Sequence, residues 1–311
     1  MKKQMLAIIF ILFPLVSFYA QETDSESLKK GSEIIINARL AIGLDEIKVN
    51  SFHFKIKQVM TQKANVEKPP IETTSEITSI LPDKIQSIIF LGLGSEATHI
   101  WNGEKYKSFL VMDLGGNRTV KDTTNQNKSN NGPSDETLKS LEGKIDKRQL
   151  DFLKNIRNAK RPDPKLSLIE DLWTNLFPLT LSHPFEPDLQ FKYIGKAESK
   201  GQFANIVEVK SKSGKTYRLF FDSITNYLLM MTYGFSSNSG EVGGMFDGDR
   251  EFKYYFSNRQ KFGNILVPKQ IKSESIFKPL GSSEIKQFYS TYNVEEFSIN
   301  PDLKESLFEI K

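Results

Sequence analysis

The sequence predicts an α+β protein built around one large, mostly antiparallel β domain. Long stretches alternate apolar and polar residues with a period of two, the mark of strands with one buried and one wet face. Turn-forming dipeptides separate these stretches, and only three segments carry helical spacing. With 23 Phe and 38% hydrophobic residues in 311, the chain holds the large aromatic side chains that favour strands and fill a sizeable core. Strand-rich folds of roughly 200–250 residues form single units. Residues 21–311 therefore read as one domain behind a leader over 1–20, with loop insertions near 117–135 and 236–250.

The leader is the clearest local signal. Lys2 and Lys3 form a positive start, Met5 to Tyr19 is almost wholly apolar, and Ser17-Phe18-Tyr19-Ala20 ends on a small residue before Gln21. That is the build of a cleaved signal peptide. A retained anchor is the alternative, though the run is shorter than the roughly 20 residues a spanning helix needs. The reading implies export, to the periplasm or outside the cell. With no Cys in the chain, a Cys-attached lipid anchor, disulfides and Cys-ligated metal are excluded. Formal charge is +4, of which Lys2 and Lys3 supply two, so the mature chain is near balance and no nucleic-acid partner is expected.

Taken in order, Thr23 with Glu26 fits a capping box, and Leu28, Ile35, Ala38 and Ile42 share a helical face that Gly43 stops. This helix is expected to lie on the sheet that follows. From Ser51 the period becomes two: Phe52, Phe54 and Ile56 alternate with His53, Lys55 and Lys57. Further strands are expected around Glu76 to Leu81 and Ile85 to Leu91, the latter apolar enough to be covered on both sides. Asn102-Gly103 predicts a hairpin between Ala97–Trp101 and Lys105–Met112. Polar Asn117 to Asp135 reads as a mobile loop. Helices are predicted from Ser134 to Ile156 and from Pro164 to Pro178. Strands resume over Phe191–Glu198, Phe203–Lys210, Thr216–Asp222, Tyr227–Phe235, Phe252–Ser257, Asn264–Lys272 and Ile285–Phe297. Ser213-Gly214 is a hairpin turn and Ser236 to Gly248 a flexible loop.

Several tempting motifs fail on context. Gly92-Leu93-Gly94-Ser95-Glu96-Ala97 matches a dinucleotide fingerprint, yet Thr98 to Gly103 reads as strand and turn where a helix must start. Gly214-Lys215-Thr216 echoes a phosphate loop, but Val209 stands where its first glycine belongs. Asp247-Gly248-Asp249 lacks the repeated spacing of a calcium loop. His53, His99 and His183 have no second ligand at metal spacing. No nucleophile stands in a Gly-x-Ser-x-Gly context, and carboxylates that pair only in space are invisible at this stage. No catalytic residues, metal or cofactor are expected, and the chain is not read as an enzyme.

A set of segments recurs in a telling order. Ala38-Arg39-Leu40-Ala41-Ile42-Gly43 leads into the strand from Phe52 to Val59. Leu81-Pro82-Asp83-Lys84 is followed by Asn102-Gly103. Phe220-Phe221-Asp222 comes with Thr225 and Tyr227-Leu228. Tyr254 to Lys269 carries Gly263 and Pro268, and Asn300-Pro301-Asp302 precedes Leu307-Phe308. In this order they resemble the LolA-like periplasmic proteins, the outer-membrane lipoprotein-sorting carriers and their relatives. The long 117–135 and 236–248 segments depart from the compact carriers.

That resemblance implies an incomplete barrel: a single curved antiparallel sheet with helices covering its concave face. It implies an exported carrier or binding protein for lipids or lipid-modified proteins, with an acyl chain held in an apolar hollow of the sheet. Residues expected to line the hollow are Phe52, Phe54 and Ile56; Tyr217, Leu219 and Phe221; and Tyr227, Leu229 and Met231, each set read as sharing one face. Trp101 and Trp173 are the expected covers, and Ser134–Ile156 with Leu166–Phe177 the expected movable lid. Ordinary core packing is the alternative for each residue. The alternative function is an envelope-associated protein-binding or scaffold module with no lipid ligand.

Overall fold

A computed structural model describes residues 24–45, 47–62, 70–92, 95–103, 105–114, 117–124, 139, 142, 164–183, 185–199, 201–237, 248–279 and 285–310. Helix α1 (Asp24–Ala41) is followed by strands β1 (Ser51–Gln62), β2 (Ile71–Ile80), β3 (Lys84–Gly92), β4 (Ser95–Asn102), β5 (Tyr106–Leu114) and β6 (Asn117–Asp122). Helices α2 (Pro164–Asn175) and α3 (Phe177–Thr180) then lead to β7 (Phe191–Ser199), β8 (Gln202–Lys210), β9 (Thr216–Asp222) and β10 (Leu228–Ser237). The long strands β11 (Gly248–Phe262), β12 (Ile265–Pro279) and β13 (Lys286–Ile299) close the series, and a 3-10 helix, Glu305–Phe308, ends the chain.

The thirteen strands of the described residues form one sheet in the order β6-β5-β4-β3-β2-β1-β13-β12-β11-β10-β9-β8-β7. Every pairing is antiparallel. The chain starts at the centre with β1, works outward by hairpins to β6, crosses to the opposite edge, and returns inward to β13. There β13 pairs with β1, from Phe52 opposite Ile299 to Gln62 opposite Phe288. The sheet has two edges, β6 and β7, and is not a closed barrel.

Curvature follows from what the distant strands share. β2 and β7 stand eight strand spacings apart; on a flat sheet that is nearly 40 Å at about 4.8 Å each. Yet Leu81 and Pro82, just past β2, line the same cleft as Phe191 at the start of β7. The sheet must therefore curl, as right-handed strand twist favours, and its inner face becomes the core side. Phe52, Phe54 and Ile56 are buried there in one cluster with Val207, Leu219 and Met231 from the other half of the sheet. The outer face of β1 is wet: Lys57 pairs with Glu72 at 2.9 Å, and His53 and Lys55 approach Glu296 at 3.5 and 3.6 Å.

Helix α1 buries Ser27, Gly31, Ile34, Ile35 and Ala38, a stripe at helical spacing, with Leu28 only half-buried. It packs on β7 and β8 rather than on the strands that follow it, because the curl brings the far edge round to it. Gly31 permits this approach, since a methyl group there would overlap the Phe191 carbonyl. The helix ends in a Schellman motif: Gly43 N–H donates to the Leu40 carbonyl at 3.0 Å and Leu44 N–H to Arg39 at 2.9 Å. Gly43 has the positive φ of 80° that this requires.

Other expectations are corrected in detail. The segment from Asn117 to Asp122, read as loop, is edge strand β6, paired with β5. β3 is not covered on both sides along its length: Ile85 and Ser87 are buried, whereas Ile88, Ile89 and Phe90 are half-buried. β11 and β12 run well beyond the predicted strands, because their ladder continues from Phe262–Ile265 to Gly248–Pro279. In β10 a register shift between Leu228 and Met230 breaks the parity that grouped Tyr227, Leu229 and Met231. Leu228 and Met231 are core, Tyr227 packs against them, and Leu229 is half-buried at the irregularity. Thr23, the leader, nearly all of the Ser134–Ile156 stretch, and residues 238–247 lie outside the described residues.

The β9–β10 turn is held by Asp222. Its carboxylate accepts the N–H groups of Ile224 and Thr225 at 3.0 and 2.7 Å, the Thr225 hydroxyl at 2.9 Å and Gln202 Nε2 at 2.8 Å. Asp222 is 7% exposed. Burial alone would raise its pKa, but these hydrogen bonds together take it down to about 2. Because the folded value is depressed, the stabilisation is present above the unfolded value near 3.9 and is lost as pH falls through 2. Asp222→Ala should cost about 2 kcal/mol in urea unfolding at pH 7, with the deficit shrinking towards pH 2. Gly31→Ala should cost about 1–3 kcal/mol by forcing α1 off β7, measured the same way.

Candidate functional site

Most of the residues read from the sequence as lining a hollow pack as a filled interior. Phe52, Phe54, Ile56, Trp173, Tyr217, Leu219, Phe221 and Met231 are all buried in the main cluster, and Trp101 and Tyr227 pack partly buried against it. Trp173 of α2 packs on the sheet. Its ring stacks on Tyr217 at 4.5 Å and 8°, against Phe177 at 4.7 Å, and on His183 at 4.9 Å. Its indole N–H donates to Glu186 at 3.1 Å, which satisfies the polar end of a ring this deeply buried.

Open space lies beside this core, at the end of the sheet where α1 terminates. A cleft of about 580 Å³ runs between the end of α1, the 47–50 segment, the β2–β3 turn and the chain from α3 to β7. Its apolar wall includes Ile35, Val49, Leu81, Leu176, Leu181 and Phe191, and Ile35, Leu176 and Leu181 belong to the core cluster itself. None of the residues expected to line the hollow lines this cleft, whereas Leu176 of the expected lid Leu166–Phe177 does.

Four ionisable side chains stand on the same cleft, Arg39, Lys48, His183 and Glu186, beside the neutral Asn50 and Ser182. Arg39 projects from the last turn of α1, where the helix dipole favours a cation. It donates to the carbonyls of Thr180 at 2.9 Å, Leu44 at 3.3 Å and Ile47 at 3.0 Å. Among the described residues no carboxylate pairs with it, and burial lowers its pKa. Lys48 is exposed. Glu186 is 3% exposed; its two oxygens accept Trp173 Nε1 and the Lys212 backbone N–H at 3.1 and 2.8 Å.

His183 is equally buried, at 3% exposure. Its Nε2 lies 3.1 Å from the Ile169 carbonyl. A carbonyl can only accept, so the proton sits on Nε2. Nδ1 is then a buried lone pair with no partner among the described residues. Burial lowers the His183 pKa, with the Ile169 hydrogen bond and Glu186 opposing, so the ring is neutral at pH 7.

Farther along the strands the inner face turns polar. Gln58 donates to the hydroxyls of Ser290 and Tyr292, both at 3.2 Å, and accepts from Thr73 at 3.4 Å. Tyr233 and Tyr254 stack at 6.2 Å and 9° and hydrogen-bond to one another. Burial raises the pKa of Tyr233 to about 12 and those of Tyr254 and Tyr292 as well, so all three keep their protons. Asp171 of α2 looks onto this layer. Its surface is open to solvent, yet protein on several sides strips its hydration. That burial, with Glu170 beside it, lifts its pKa to about 6 against the pull of Lys215. Among the described residues no group of His, Asp and Glu is spaced to hold a metal; the hydroxyls of Thr78 and Tyr106 lie 3.0 and 2.7 Å from Nδ1 of His53 and His99.

No family profile and no curated protein matches the chain. Among solved structures it is similar to a DUF1329 family protein from Desulfovibrio piger, at 11% identity and a TM-score of 0.46 over 91% of this chain and 97% of that one. It is also similar to an outer membrane lipoprotein-sorting protein domain from Vibrio parahaemolyticus, at 10% identity and 0.43 over 90% and 97%. A LolA superfamily protein from Nitrosomonas europaea matches at 9% identity and 0.38 over 90% and 97%. The chemistry has to come from this chain's own residues.

Asp171 sets a pH dependence of definite sign. Its folded pKa near 6 exceeds the unfolded value near 3.9, so the folded state binds the proton more tightly between those values. Its contribution is fully present below pH 4 and is lost as pH rises through 6. Solvent screening at an open carboxylate keeps the effect modest. Asp171→Asn should raise Tm at pH 7 and leave it nearly unchanged at pH 4, as read by calorimetry.

Proposed function

We propose that this chain is an exported binding protein or carrier for the acyl chain of a lipid or lipid-modified protein. The observation that carries the reading is the apolar cleft of about 580 Å³ at the end of the incomplete barrel, within the roughly 300–1,000 Å³ range of small-molecule sites. Its apolar wall is continuous with the aromatic and aliphatic core, so an entering chain would exchange water for hydrocarbon along that wall. Each buried methylene contributes about 0.8 kcal/mol, and a chain of a dozen or so carbons about 10 kcal/mol before ordering costs. In this reading Phe52, Phe54, Ile56, Leu219, Phe221 and Met231 form the second layer against which the ligand site is braced, and Trp173 anchors the covering helix. The leader supports export, to the periplasm in a cell with two membranes.

Native mass spectrometry of the mature chain purified from cells should show co-purified lipid. Val49→Trp, on a half-buried position of the cleft wall, should lower lipid retention about tenfold by filling the space, with Tm changed by only a few degrees. Absence of lipid, together with no shift of Tm on adding fatty acid, would leave the envelope protein-binding module as the better account.

A further inference from the structure

The ionisable groups on the cleft fall on two sides, with the neutral Asn50 and Ser182 among them. At the α1 end stand two cations, Arg39 and Lys48. On the α3–β7 side the wall holds Glu186 and His183, and the His183 Nδ1 is an acceptor buried within that wall with no partner among the described residues. Each pair is incompletely satisfied. Arg39 contacts only carbonyls, which account for three of its five N–H donors. Glu186 accepts two N–H groups, but among the described residues no lysine or arginine is ion-paired with it. A buried acceptor left bare, as His183 Nδ1 is, is disfavoured, and a donor brought by a ligand would remove that penalty.

A purely apolar chain would leave all of this unused, and a simple fatty-acid anion would use the cationic side alone. The arrangement fits a head group that carries an anion and, a few bonds away, a positively charged N–H donor. We propose that the cleft selects a zwitterionic amphiphile of the phosphoethanolamine type. Its anion meets Arg39 and Lys48, its ammonium meets His183 and Glu186, and its chain lies along Val49, Leu81 and Phe191. This rests on the acyl-binding reading above and adds the head-group chemistry to it.

Three alkyl amphiphiles of one chain length separate the parts. Alkyl phosphoethanolamine has anion and donor, alkyl phosphocholine has the anion but no N–H, and an alkyl glycerol ether has donors but no anion. Binding to the full-length mature chain is measured by calorimetry below micelle formation. The phosphoethanolamine is expected to bind about tenfold tighter than either of the others. Lys48→Glu, at an exposed position, should weaken both phosphate compounds and leave the glycerol ether unchanged. His183→Phe keeps a ring against Trp173 and should abolish the preference for phosphoethanolamine over phosphocholine. If that variant does not fold, the wild-type ratio decides alone.

Equal binding of phosphoethanolamine and phosphocholine by the wild type overturns the donor assignment, and the His183 lone pair is then met by water. Indifference of the phosphate compounds to Lys48→Glu overturns the anion assignment. Equal binding of all three compounds overturns the head-group proposal while leaving acyl binding intact. No binding of any compound overturns the acyl-binding reading itself.

Discussion

The pairing of β1 with β13 holds the molecule together. These strands are the first and last of the sheet in sequence and its centre in space, so neither half has a continuous ladder to the other without them. Their alternate residues set the face of everything outward: Phe52, Phe54 and Ile56 point inward opposite Ile299, Phe297 and Val294. A slip of one residue would turn every one of these side chains to solvent. The register shift between Lys55 and Ile56 is absorbed without losing that match. This centre is the last part of the chain to be completed, so most of the sheet depends on contacts between residues far apart in sequence, which form slowly.

Once the sheet curls, its concave side has to be filled, and two chemistries divide it. Near the end of α1 the filling is apolar: helices α1, α2 and α3 drive Ile35, Trp173, Leu176 and Phe177 against the strands. Toward the other end Gln58, Tyr233, Tyr254, Tyr292 and Ser290 build a hydrogen-bonded layer. A protein meant only to be solid would gain little from the second arrangement, because each polar group there needs a partner. The sheet thus has an oily end carrying the open cleft and a hydroxyl-rich end facing Asp171.

The cleft itself is a product of chain ends rather than of strands. Its polar groups come from the last turn of α1, the segment entering β1 and the stretch between α3 and β7. These are terminal and connecting segments, where backbone geometry is not dictated by a ladder and functional side chains tend to collect. Arg39 shows how structure and site overlap. It ties the carbonyls of Thr180, Leu44 and Ile47 together, while no carboxylate of the described residues pairs with its charge.

Period-two alternation, turn dipeptides and glycine stops were enough to read nearly every strand, the antiparallel class, the Asn102-Gly103 hairpin and the span of α1 and α2. Each of these depends on residues within a few positions of one another, so local order carries the information. Edge strand β6 escaped because Asn117-Arg118-Thr119-Val120-Lys121-Asp122 lacks a buried face; only pairing with β5 makes it a strand. The cleft escaped for a stronger reason. His183 and Glu186 look like loop residues of no pattern, and Arg39 like one charge on a helix. Their meeting is decided when the curl brings β7 round to α1. The sequence by itself determined which faces are oily. Tertiary structure alone decided where the oil is packed solid and where it is left open, because that depends on how far the sheet bends, a sum of small twists over many strands that no local segment encodes.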